Sequence, residues 1–147
     1  MGHGRRFTTG AALVGWLLAL GAVALPWTYN RRSGSRWLLD LLERHPLVVV
    51  GYIGGLGILS LALFVLFLQA PPFPALLPAT AAALAMTGVA VATPRPDTLW
   101  DGVDSTGRSI GGSDPTLLSF GAAAAVLGAV LVLTAAIIQS RTRRVAP

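Results

Sequence analysis

The sequence predicts an all-α membrane protein, a bundle of four transmembrane helices with a short extracytoplasmic amphipathic helix between the first and second spans. Three observations carry this expectation. Residues 45–94 contain no Asp, Glu, Lys or Arg, and a crossing takes about 20 apolar residues, so the run suits two crossings joined by a turn. Charged residues make up 12% of the chain, hydrophobic residues 54%, and the mean hydropathy is +0.69; soluble domains carry about 25% charged residues. Two further apolar runs flank the central one. The 147 residues therefore read as one membrane domain, 1–147, with spans near 11–27, 47–68, 73–92 and 117–138 and outer loops at 28–46 and 93–116.

The first run opens after Arg5 and Arg6. It ends at Trp27, read as a membrane-interface anchor because its ring suits the headgroup layer. The same stretch also fits a cleaved signal peptide, with Ala22-Val23-Ala24 as the small-residue cleavage site. Pro26 is expected to stop the helix, since its ring removes a backbone donor. The turn-rich TYNRRSGS follows.

RWLLDLLERHP, 36–46, carries the pattern of an amphipathic helix lying at the interface. Trp37, Leu38, Leu41 and Leu42, with Leu39, share one face; Arg36, Asp40, Glu43 and Arg44 share the other. Arg36/Asp40 and Asp40/Arg44 are favourable i,i+4 pairs. Three turns are too few to hold alone in water, so the apolar face needs lipid or protein.

In the second run Gly51, Gly55 and Ala62 form a small-residue stripe of the kind that lets membrane helices approach closely. Glycine costs about 1 kcal/mol against alanine in a helix, so four glycines within residues 51–57 imply a packing use. Ala70–Pro74 is a rigid, uncharged turn. The third run carries the stripe Ala81, Ala85, Gly88, and its Thr80 and Thr87 are expected to bond back to helix carbonyls. The loop at 93–116 is rich in Gly, Asp, Ser, Thr and Pro and reads as irregular. Its aspartates are expected to be solvated and turn-capping, since their spacing does not fit a calcium loop. The last run supplies Gly121, Ala125 and Gly128 for packing. It ends on Arg141, Arg143 and Arg144, a basic stop at the cytoplasmic interface. Both termini are accordingly expected on the cytoplasmic side of a cell membrane.

The formal net charge is +5, and all eleven basic residues are Arg. Because these arginines flank apolar runs, they point to membrane orientation and not to nucleic acid. An all-Arg basic set also suggests a prokaryotic source. The absence of cysteine excludes disulfides and thiolate chemistry.

The layout of short head, long first loop opening on a Trp, tight middle turn and second loop resembles that of tetraspan membrane proteins such as the claudins. The first loop here reads LPWTYNRRSGSRWLL and lacks the G-L-W-x-x-C-x-x-C motif, so the likeness is one of layout and assigns no family.

The apolar runs contain no Asp, Glu, Lys, Arg or His, which disfavours a coupled pump. His3 and His45 are too scattered for a haem or zinc site. Asp104-Ser-Thr-Gly107 has the wrong spacing for an Asp-Thr-Gly catalytic motif. No catalytic, cofactor or metal site is therefore expected. The expected function is that of a non-catalytic accessory, assembly or interaction subunit, with the bilayer and another membrane protein, or a second copy, as partners. The alternative is a small uncoupled channel or permease formed as a homo-oligomer, lined by Tyr52, Ser60, Thr80 and Thr87. An enzyme using outer-loop Asp residues ranks last.

Overall fold

The computed structural model describes residues 2–68, 76–93, 95 and 97–144; the turn expected at 70–74 lies outside them. The helices are α1 (Gly2–Gly21), α2 (Pro46–Leu68), α3 (Leu76–Ala92) and α4 (Phe120–Arg144). Between α1 and α2 come a 3-10 turn (Ala22–Ala24), strands β1 (Pro26–Asn30) and β2 (Gly34–Trp37), and a second 3-10 turn (Leu39–Leu41). Between α3 and α4 come β3 (Thr98–Val103), β4 (Ser109–Asp114) and β5 (Leu117–Leu118). The fold is thus mixed α and β.

This corrects the expected all-α four-span bundle. Two stretches among the described residues, Pro46–Phe64 and Phe120–Ile138, form helices long and apolar enough to cross a membrane. The apolar helical stretches Thr8–Ala24 and Pro78–Ala92 are shorter. The α-helix of the first run stops at Gly21, ahead of Pro26, and the tail of that run enters a strand.

Both expected loops are strand-built, for local reasons. Trp27, Thr28 and Tyr29 are residue types that favour a pleated surface. Asn30 then makes an Asx turn: its Oδ1 accepts from the Arg32 N–H at 2.9 Å and the Ser33 N–H at 3.2 Å. Gly34 follows at φ +78°, a conformation side chains resist. The chain reverses there, and β2 pairs antiparallel with β1 through Thr28↔Arg36 and Tyr29↔Ser35. On its other edge β1 pairs with β5 through Thr28↔Leu118 and Tyr29↔Leu117. The three-stranded order is β2-β1-β5, and β3-β4 is a separate hairpin.

The amphipathic helix expected over 36–46 is a second correction. Arg36 and Trp37 are drawn into β2, where they pair with Thr28 and Pro26. An i,i+4 charge pair contributes only about 0.2–0.5 kcal/mol, while each cross-strand pair contributes about 0.2–1 kcal/mol and comes with ladder hydrogen bonds. Asp40 sits inside the 3-10 turn instead, where its carboxylate accepts from the Trp37 N–H at 2.8 Å.

The second hairpin turns on Asp104. Its Oδ1 accepts from the Thr106 hydroxyl at 2.6 Å, the Thr106 N–H at 2.8 Å and the Arg108 N–H at 2.9 Å. Gly107 supplies the positive φ of +83°. The three bonds, the Thr106 hydroxyl foremost, hold this carboxyl below its ordinary pKa.

α1 packs on α4, α4 on α3, α3 on α2, and α1 meets α2 more lightly. Close contacts show that neighbours run antiparallel. Gly15 lies against Gly128 while Trp27, just beyond the end of α1, lies against Gly121 at the start of α4. Gly51 faces Val89, and Gly55 faces Met86 and Ala82. Four antiparallel helices bring all five strands to one end, where they form a cap.

Candidate functional site

The interior of the helical layer mixes large apolar side chains, Leu56, Leu59, Leu63, Met86 and Val132 among them, with small residues at the closest helix contacts. A Cβ on Gly128 would lie 2.6 Å from the Gly15 carbonyl oxygen, and one on Gly15 would lie 2.7 Å from that of Gly128. The two backbones touch. Ala125 and Ala62 are buried, and a Cβ on Gly55 would meet Met86 at 2.9 Å. Gly51 is half-buried against Val89. Ala81, Ala85 and Gly88 lie on the exposed side of α3; that helix packs through Ala79, Ala82, Ala83, Met86 and Ala90 instead. The stripe expected on α3 therefore faces outward within the single chain.

Two polar bonds tie α1 to α2. The Tyr52 hydroxyl donates to the Ala19 carbonyl at 2.6 Å. Trp16 Nε1 donates to the Ser60 hydroxyl at 2.8 Å, and Ser60 in turn donates to the Leu56 carbonyl at 2.8 Å. Thr87 donates to the Ala83 carbonyl. Of the polar groups expected to line a channel, Tyr52, Ser60 and Thr87 are thereby engaged within the helices.

The interface residues divide. Trp27 is fully buried, its Nε1 donating to the Ala22 carbonyl at 2.8 Å and its ring standing edge-on to Tyr52 at 4.7 Å. It is a core residue and not an interface anchor, because the chain turns back across the end of α1. Leu38 and Leu41 are buried in the same core; Trp37 and Leu42 are about half exposed. Arg141 is exposed near the end of α4; Arg143 and Arg144 follow in the same helix, their side chains outside the described residues.

The cap encloses the candidate site. Successive side chains of a strand point to opposite faces, and the β2-β1-β5 sheet uses this to separate two spaces. One face carries Thr28, Asn30, Gly34 and Arg36. With Ser33, Leu41, Arg44, His45, Asp97, Thr98 and Thr116 they line a cavity of about 270 Å³. The other face carries Tyr29, Ser35 and Leu117, which open on an apolar groove running down α4 past Phe120, Ala123, Val126 and Val130.

Buried Asn30 builds the cavity wall. Its amide donates to the carbonyls of Asp114 at 2.9 Å and Pro115 at 3.3 Å and to the Thr116 hydroxyl at 3.3 Å, tying the first loop to the second. Outside the cavity, Arg32 pairs with Asp114 at 2.8 Å and lies over the Trp100 ring at 4.1 Å. Arg36 and Arg44 make no ion pair among the described residues. His45 ends the loop, and its carbonyl accepts from the Val48 N–H in the first turn of α2. That turn holds no acidic residue, so the positive end of the helix is not neutralised from within it.

Sequence reasoning missed Gly15, whose contact with Gly128 depends on which helices pair. It also missed the cavity, because it placed Arg36 and Arg44 on the polar face of a helix. The alternation Thr28, Asn30 against Trp27, Tyr29 was the available signal. No known protein family, curated protein or solved structure matches the chain.

Proposed function

We propose that the protein is a bilayer-anchored, non-catalytic binding subunit, held by α2 and α4, with the cap on the outer side and both chain ends on the cytoplasmic side. The observation that carries this reading is the contrast between the two surfaces of the helices. Leu47, Val50, Leu61 and Phe64 on α2 and Phe120, Leu127 and Val130 on α4 face outward. Exposed apolar faces of this kind on two long helices need lipid or protein against them. The basic end of α4, at Arg141, Arg143 and Arg144, lies remote from the cap and fits a cytoplasmic interface.

The alternative, a small channel or permease, draws less support. Tyr52, Ser60 and Thr87 spend their hydroxyls on helix carbonyls. A binding subunit needs instead a shaped, polar surface on a rigid support, and the cap offers one.

The test is carbonate extraction followed by purification in mild detergent and reconstitution. The protein is expected to stay with washed membranes, to co-purify with a fixed companion, and to give liposomes no more solute flux than empty vesicles. Release by carbonate would overturn the anchoring. Recovery of the protein alone would overturn the binding role, and flux above background would favour the channel.

A further inference from the structure

We propose that the cavity beneath the β2-β1-β5 sheet binds a phosphate monoester or orthophosphate group. The proposal rests on the reading of the cap as the binding end. Four observations converge on one space. Arg36 reaches it from β2 and Arg44 from the segment before α2, and neither forms an ion pair among the described residues. Guanidinium groups offer paired N–H donors that match the oxygens of a phosphate. His45, the residue before α2, lines the same wall, and the first turn of that helix holds no acidic residue to repel an anion. Thr28 and Thr98 add hydroxyls to the lining. At about 270 Å³ the cavity lies at the small end of ligand pockets, sized for a compact anion.

Asp97 narrows the class. Its carboxylate lines the same cavity and is an acceptor only when ionised. It opposes an anion that has no proton to give. Orthophosphate keeps an O–H near neutral pH, and a monoester keeps one in its singly charged form, favoured as the pH falls toward its second pKa of about 6; that O–H can donate to Asp97 while the other oxygens accept from Arg36 and Arg44. Sulfate has no such donor. The same chemistry has two sources at a membrane surface: free phosphate, and the headgroup of a lipid such as phosphatidic acid, whose monoester presents the same oxygens.

The experiment is calorimetric titration of the full chain in an uncharged detergent with sodium phosphate and sodium sulfate. A parallel arm uses nanodiscs of neutral lipid with or without phosphatidic acid. The expected result is saturable binding in one of the two arms, weakened at least tenfold by Arg36→Gln or Arg44→Gln. Binding in the detergent arm identifies free phosphate as the source; binding in the nanodisc arm alone identifies the lipid. In the detergent arm phosphate is preferred over sulfate at least fivefold, and Asp97→Asn removes that preference. Arg44 is exposed in a turn, so its variant decides if Arg36→Gln fails to fold. Arg32→Gln, outside the cavity, is the control and leaves binding within twofold. No saturable binding in either arm, or binding that both cavity variants leave unchanged, overturns the proposal. Carbonate extraction reads the anchoring separately, so a protein that stays in washed membranes yet ignores phosphate loses only the cavity assignment.

Discussion

The helical layer and the cap solve opposite problems with the same chain. In the helices the outward faces are apolar, while Leu59, Met86, small residues and the bonded hydroxyls of Tyr52 and Ser60 sit between helices. In the cap the outward positions of the β3-β4 hairpin include Asp101, Ser105, Thr106 and Arg108, and shape is set by side chains that bond the backbone. Helix association without a hydrophobic drive depends on close backbone approach; the cap depends on polar turns that fix register. Each half is accordingly vulnerable in its own way: the helices to added bulk, the cap to lost hydrogen bonds.

Removing the joint between the halves should have the largest effect. Trp27 is fully buried where α1, Tyr52 and Gly121 meet. Trp27→Ala should cost about 3–5 kcal/mol, seen as a lowered Tm in detergent with loss of both helix packing and cap order. If only the cap loosened, the two halves would be independent.

Next comes bulk at the α1–α4 contact. Gly128→Leu forces a side chain against the Gly15 carbonyl, and overpacking of this kind costs about 1–3 kcal/mol or somewhat more. Denaturation in detergent should show the loss, while Gly88→Leu, on an open face, should leave stability within about 0.5 kcal/mol apart from propensity gains. Equal losses at both positions would remove the distinction between inner and outer helix faces.

A smaller effect belongs to the polar tie between α1 and α2. Tyr52→Phe deletes the bond to Ala19, and interhelical bonds of this type contribute about 0.6–2 kcal/mol. Steady-state denaturation midpoints would register it.

The smallest effect is confined to the cap. The Asp104 carboxyl has a depressed pKa from its bonds to Thr106 and Arg108. A depressed acid stabilises the fold above its unfolded value and loses that contribution as the pH falls through the folded value. The β3-β4 turn should therefore hold at neutral pH and loosen in acid, below the ordinary carboxylate range. Amide shifts at Thr106 and Arg108 would follow it, and Asp104→Asn should abolish the titration with little change in overall stability.

The sequence carried the helices better than the cap. Charge-free runs and glycine spacing are local properties, so the apolar helices and the spacing of glycines such as Gly55 and Gly128 are visible in the chain itself. Which face of α3 packs could not, because Ala-rich helices present small residues on every side; Ala81 and Ala82 are indistinguishable until a neighbour is placed. The cap was hidden for a different reason. RWLLDLLERHP has helical periodicity, and only its pairing with Pro26–Asn30 turns it into a strand edge and a 3-10 turn. The cavity followed from that pairing, since Arg36 reaches it only as a residue of β2. Asp104 was legible as a turn-forming residue, but not as the turn of a six-pair hairpin.

In the proposed arrangement lipid covers the helical layer and water covers the cap. The chain has no cysteine, so single Cys variants give unique spin labels. Labels at Leu61, Phe64 and Leu127 in nanodiscs are expected to be accessible to oxygen and shielded from a water-soluble nickel chelate. Labels at Ser105 and Ser109 are expected to show the reverse. Comparable chelate accessibility at all five positions would contradict the account.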